Sequence, residues 1–69
     1  MTIGERIKKL RTDLGRSQGE FAEIIGVQPQ MLSAWERDKA KPKHNSLLKI
    51  IEATGIDPRE FFEGIEIIN

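Results

Sequence analysis

The chain has 69 residues, a formal net charge of zero and no cysteine, which points to one small domain without disulfides, cysteine nucleophiles or thiolate metal sites. Its single histidine cannot build a histidine metal cluster, and its apolar runs fall far short of the roughly 18 residues a membrane helix needs. With no signal-peptide pattern at the start, a cytoplasmic protein is expected.

The zero net charge hides an asymmetry. Residues 1–43 carry nine basic groups against six acids, and residues 44–69 carry two against five. A basic N-terminal part able to face a polyanion, with an acidic end facing away, is the expected arrangement.

Ile3, Ile7, Leu10 and Leu14 recur at helical spacing, with Glu5, Lys8, Lys9, Thr12 and Asp13 on the other face. This predicts an amphipathic first helix, capped by Thr2 and ended by Gly15. Ser17 and Glu20 form a capping box at the start of a second helix, which buries Phe21, Ile24 and Ile25 and closes at Gly26. Pro29 suits the first turn of a third helix that runs to about Arg37. The lysine-rich segment after it, with Pro42, reads as a solvated loop. A fourth helix buries a broad face of Leu47, Leu48, Ile50 and Ile51, with His44 packed neutral inside that arc, Asn45 or Ser46 as cap and Gly55 as stop. Asp57, Pro58 and Glu60 open a short fifth helix in which Ile56 can staple onto Phe61.

Only Ile65-Glu66-Ile67-Ile68 alternates like a strand. The fold class is therefore all-α, with residues 1–69 as a single domain made of a core over 3–63 and a short apolar tail over 64–69. Leu10, Phe21, Ile25, Leu32, Trp35, Leu48 and Ile51 are the expected core.

Helices two and three are joined by Gly26-Val27-Gln28, a short glycine-containing connection of the helix-turn-helix kind. At about 100° per residue, Leu32, Trp35 and Glu36 share the inward side of helix three and Gln30, Ser33, Ala34 and Arg37 the outward side. Those outward types are able to read a DNA groove: Gln bonds adenine, Arg bonds guanine or phosphate, Ser uses either edge, and Ala touches a thymine methyl.

Taken together, these residues resemble the repressor and Cro type (XRE-type) helix-turn-helix DNA-binding domains. I-K-K-L-R in helix one, S-Q-G-E-F-A-E-I-I-G-V through helix two, M-L-S-A-W-E-R-D-K-A-K-P through helix three and its loop, and L-L-K-I-I-E-A-T-G-I-D occur in that family's order from Ile7 to Phe62. The resemblance implies a compact, five-helix, lambda-repressor-like domain that lays helix three in the major groove of double-stranded DNA. By the same resemblance, Gln28, Gln30, Ser33 and Ala34 read bases, with Pro29 standing where relatives often place a base-contacting side chain. Arg11, Ser17, Gln18, Arg37, Lys39, Lys41 and Lys43 hold phosphates or backbone. Arg11 and Glu36 match a partly buried ion pair that pins helix one to helix three. Asp38 stands where the family commonly has Gly, which leaves the loop path open.

The resemblance implies a small transcriptional regulator, a repressor on a palindromic operator. Because one helix in a groove buries too little surface for strong specificity, a homodimer is expected. Its surface would draw on Phe61, Phe62, Ile65, Ile67 and Ile68, by pairing of the tail strand or of helix five across a twofold axis, unless the tail packs on its own core. The alternative function is a protein-interaction module of the same fold with little DNA affinity, which the zero net charge favours and the basic surplus opposes. An enzyme is the weakest reading, since the serines lack a base partner beyond one histidine and no phosphate-cradling glycine loop exists. No cofactor, metal, membrane or small-molecule ligand is expected.

Overall fold

The computed structural model describes residues 1–66. Five helices follow one another: α1 (Ile3–Asp13), α2 (Gln18–Ile25), α3 (Pro29–Glu36), α4 (His44–Thr54) and α5 (Pro58–Phe62). Their starts are set by local chemistry. Thr2 accepts from the Glu5 amide while Glu5 accepts from the Thr2 amide, and Ser17 and Glu20 do the same for α2. Each box satisfies two amides that have no partner inside the helix. Asp57 caps α5 by accepting from the Arg59 amide at 2.8 Å.

The stops are glycines in the left-handed region. Gly26 has φ +72° and Gly55 φ +71°, a backbone that L side chains adopt only with strain. Asp38 is left-handed too, with φ +57°, so the loop after α3 follows the path a glycine would give. Thr2 Oγ1 donates to Asp38 Oδ2 at 2.9 Å and holds the residue there.

Ile7, Phe21, Ala22, Ile25, Leu32, Trp35, Ile50 and Phe61 form the core. α3 packs on both α1 and α2, and α2 packs on α4. Buried Gly4 makes the α1–α3 crossing close, because a Cβ there would lie 2.1 Å from the Trp35 carbonyl oxygen. Arg6 ties the two ends of the fold together. Its guanidinium donates to the carbonyls of Glu60, Phe61 and Glu63 at the end of α5.

Several expectations need correction. Leu48 is 43% exposed and not core, since it lies about 200° around α4 from the fully buried Ile50. Leu10 and Ile51 are half-buried against the core instead of inside it. Ile24 and Leu14 are exposed: Leu14 is the C-cap of α1, where the helical face ends. His44 is also exposed, as the first residue of α4, and Lys43 is its N-cap without a side-chain bond, so neither Asn45 nor Ser46 caps it. Phe61 is fully buried, which removes it from any dimer surface, and its ring meets Phe62 edge-on at 5.0 Å. Ile65 is half-buried, and the Glu66 amide donates to the Met1 carbonyl at 2.9 Å. Ile67 and Ile68, and with them the expected tail strand, lie outside the described residues.

Candidate nucleic-acid interface

α2, the turn Gly26–Gln28 and α3 set the geometry. α2 ends when the Val27 amide reaches back to the Ala22 carbonyl at 2.9 Å. Pro29 then opens α3 with Gln28 as N-cap. Leu32, Trp35 and Glu36 turn inward and are buried. Gln28, Gln30 and Arg37 are exposed, and Ser33 and Ala34 are half-buried. Arg37 Nε donates to the Ser33 carbonyl at 3.3 Å, which lays its side chain along the end of α3. Met31, which sequence reasoning passed over, is 48% exposed on the same helix. A methionine inside a helical pattern carries no signal that separates core from surface, so only the packing reveals it.

Lys39, Lys41 and Lys43 follow in the loop, all exposed. The amides of Lys39 and Ala40 both bond the Ala34 carbonyl, at 2.9 and 3.4 Å, so the loop folds back against α3. Between the two runs a groove of about 720 Å³, lined by residues that include Gln28, Gln30, Met31, Trp35, Lys41 and Lys43. Gln28, Gln30 and Met31 at the start of α3 therefore share one groove with Lys41 and Lys43, while Ser33, Ala34, Arg37 and Lys39 are not among its lining residues.

Beneath this face lies a buried polar knot. Arg11 Nε and Nη2 donate to Glu36 Oε2 and Oε1 at 2.7 and 2.9 Å. The Arg11 and Glu36 side chains are only 11% and 2% exposed. Arg11 Nη1 donates to the Arg16 carbonyl at 2.8 Å, and Gln18 Nε2 donates to Glu36 Oε1 at 3.1 Å. The hydrogen bond to Glu36 raises the Arg11 pKa further above its ordinary value. Three of the five guanidinium donors are thus engaged inside the chain. Arg11 pins helices here, while Lys39, Lys41 and Lys43 extend outward.

At the start of α2, Ser17 Oγ accepts from the Glu20 amide at 3.1 Å and Glu20 Oε1 accepts from the Ser17 amide at 2.9 Å. The amide bond from Ser17 holds the Glu20 carboxyl below its usual range. The amides of Gln18 and Gly19 take no part in that box and sit at the positive end of the helix dipole. The Gln18 bond to Glu36 was not foreseen; the carboxylate fixes which end of the amide points inward.

At another surface, α5 and the loop before α4 border a cleft of about 500 Å³ lined by residues that include Ile3, Pro42, Leu47, Phe62 and Ile65. Phe62 is 46% exposed there. Among the described residues no helix is long and apolar enough to cross a membrane.

A sequence model of the helix-turn-helix family matches residues 7–61. The chain is 34% identical over 63 residues to the HTH-type transcriptional regulator PuuR of Escherichia coli (strain K12), covering 91% of this chain and 34% of that protein. It is 31% identical over 62 residues to Repressor protein C2 of Salmonella phage P22, covering 90% of this chain and 29% of that one. It therefore spans about a third of the length of these two curated relatives. The crystal structure of the P22 c2 repressor protein in complex with a synthetic operator resembles it at a TM-score of 0.81 and 30% identity, over 93% of this chain and 97% of that one.

Proposed function

Since the chain belongs to the helix-turn-helix family, we propose that it binds double-stranded DNA sequence-specifically and regulates transcription as a repressor, with α3 in the major groove. One observation carries this reading: Gln28 and Gln30 share a groove with Lys41 and Lys43. Amides at that position suit base edges and ammonium groups suit the adjacent phosphates. The resemblance to a repressor solved on its operator supports the same placement. Gln30, Ser33, Ala34 and Gln28 act as readers. Lys39, Lys41, Lys43 and Arg37 hold phosphates, and Ser17, Gln18 and the α2 amides position one more. The outer face of α3 offers amides, a hydroxyl, a methyl and a guanidinium, groups suited to recognising base edges and phosphates, which supports a binding role.

Two copies on half-sites about one helical turn apart supply the specificity that one helix lacks. Phe62 and Ile65, with the cleft they border, offer apolar surface for that pairing. Sedimentation checks it: mass should rise with concentration, and a monomer at high micromolar concentration rules the dimer out.

The decisive experiment is selection of bound duplexes from a random library at about 100 mM salt, a condition that suppresses purely electrostatic binding. A palindromic motif, blurred at one position per half-site by Gln30→Ala, is the expected result. No enrichment, with binding lost uniformly as salt rises, would assign the chain to protein interaction instead.

A further inference from the structure

Resting on the DNA-binding reading, we propose that Met31 is a specificity-determining residue that contacts the C5-methyl group of one thymine in each half-site. An exposed methionine on α3 is unexplained by packing: its neighbour Leu32 is fully buried, whereas Met31 is 48% exposed. It sits about 100° around the helix from Gln30 and lines the same groove as Lys41 and Lys43.

That groove is suited to a DNA strand and to little else of opposite charge. Among the described residues, its wall includes Trp35 and Ala40, its cations are Lys41 and Lys43, and no carboxylate lines it. The cleft at α5, by contrast, is lined by Asp38 and Glu66 as well as Lys41. On the DNA-binding reading the two lysines hold phosphates and Gln30 meets a base edge, and Met31, lining the same groove, is placed to meet the strand beside Gln30. On a pyrimidine the group between the backbone and the hydrogen-bonding edge in the major groove is the 5-position, where thymine carries a methyl. A flexible, polarisable thioether suits that methyl and gains nothing from a bare C5–H.

The test uses the duplex recovered by the selection above and replaces each thymine singly by deoxyuridine, which removes the methyl and leaves pairing intact. Wild-type protein should lose about fourfold in affinity at one thymine per half-site, the worth of one buried methyl. In Met31→Gln the same replacement should have no effect, while thermal unfolding stays as in wild type because the side chain is exposed. An equal uracil effect in both proteins means that the methyl is sensed elsewhere, by Ala34 for instance, and overturns the inference. So does a duplex that tolerates uracil at every position. Failure to select any duplex overturns the DNA-binding reading itself, and this inference with it.

Discussion

Replacing Gly4 by alanine puts a methyl carbon 2.1 Å from the Trp35 carbonyl oxygen and 2.6 Å from Asp38 Oδ1. Carbon and carbonyl oxygen ordinarily approach to about 3.3 Å, so α1 must withdraw from α3 by about 1 Å. The Trp35 oxygen cannot yield easily, because it is backbone and accepts from the Asp38 amide at 3.0 Å. A gap of that size forfeits up to half of the dispersion energy of the atoms it separates. Overpacking costs about 1–3 kcal/mol, and a rigid partner places this case near 3, offset by up to about 1 kcal/mol of helix propensity. A net loss of about 2 kcal/mol lowers Tm by roughly 8–16 °C in a domain of this size. The control is Gly19→Ala, at the same position of a matching capping box, where the nearest side-chain atom, Ser17 Oγ, stands 4.0 Å away. It should be neutral or stabilising by up to about 1 kcal/mol. Urea unfolding followed by circular dichroism and by the buried Trp35 reads both variants. If the two alanines behave alike, the α1–α3 contact is not what requires Gly4.

Further outcomes are expected. Arg11→Met leaves the Glu36 carboxylate buried without its partner and should cost about 3–5 kcal/mol, much of which Arg11→Met with Glu36→Leu should restore. Denaturant titrations of the two single variants and the pair measure this. The amide bonds from Thr2 and Ser17 lower the Glu5 and Glu20 pKa values in the folded state, so their contribution is present above the ordinary value of about 4.3 and is lost as pH falls through the lowered ones. Tm should hold from neutral pH to about 5 and then decline, less steeply in Glu20→Gln, which keeps the box without titrating. Lys41→Ala and Lys43→Ala should each reduce the slope of log affinity against log salt by about 0.9 while leaving the selected motif unchanged; a changed motif would mean that they read bases.

The five helices were legible because their punctuation is local. A capping residue, a proline at a first turn or a left-handed glycine acts within four residues, and the boundaries at Ser17, Gly26, Pro29, Gly55 and Asp57 each carry one, whereas the end of α3 and the start of α4 carry none. The inward side of α3 was legible for the same reason, as Leu32, Trp35 and Glu36 follow from helical period alone. Periodicity gives an arc and not its depth of burial. Leu48 and Ile24 sit at the margins of such arcs, and only the neighbouring helices decide that solvent reaches them. Phe61 drew suspicion as an exposed aromatic in an acidic end, yet a five-residue helix has just enough surface to bury one ring and show the other. Contacts across the chain left no trace in the sequence. Nothing near Gly4 in the sequence signals that α3 lies against it, and nothing near Arg6 signals its carbonyl partners more than fifty residues away.

Glu36 is approached from α1 by Arg11 and from α2 by Gln18, while Arg11 also holds the carbonyl of the segment between them. The start of α2 and the end of α3 are thereby held together by contacts within the chain. Immobilising a side chain on association costs about 0.5–1.5 kcal/mol, and for Arg11 and Gln18 that motion is already lost on folding. On the proposed DNA-binding reading, two helices held at a fixed spacing leave misfit of curvature or twist to the duplex. The stiffness of base steps that no side chain touches then enters the affinity, so operators of equal contact sequence should separate according to how readily they bend.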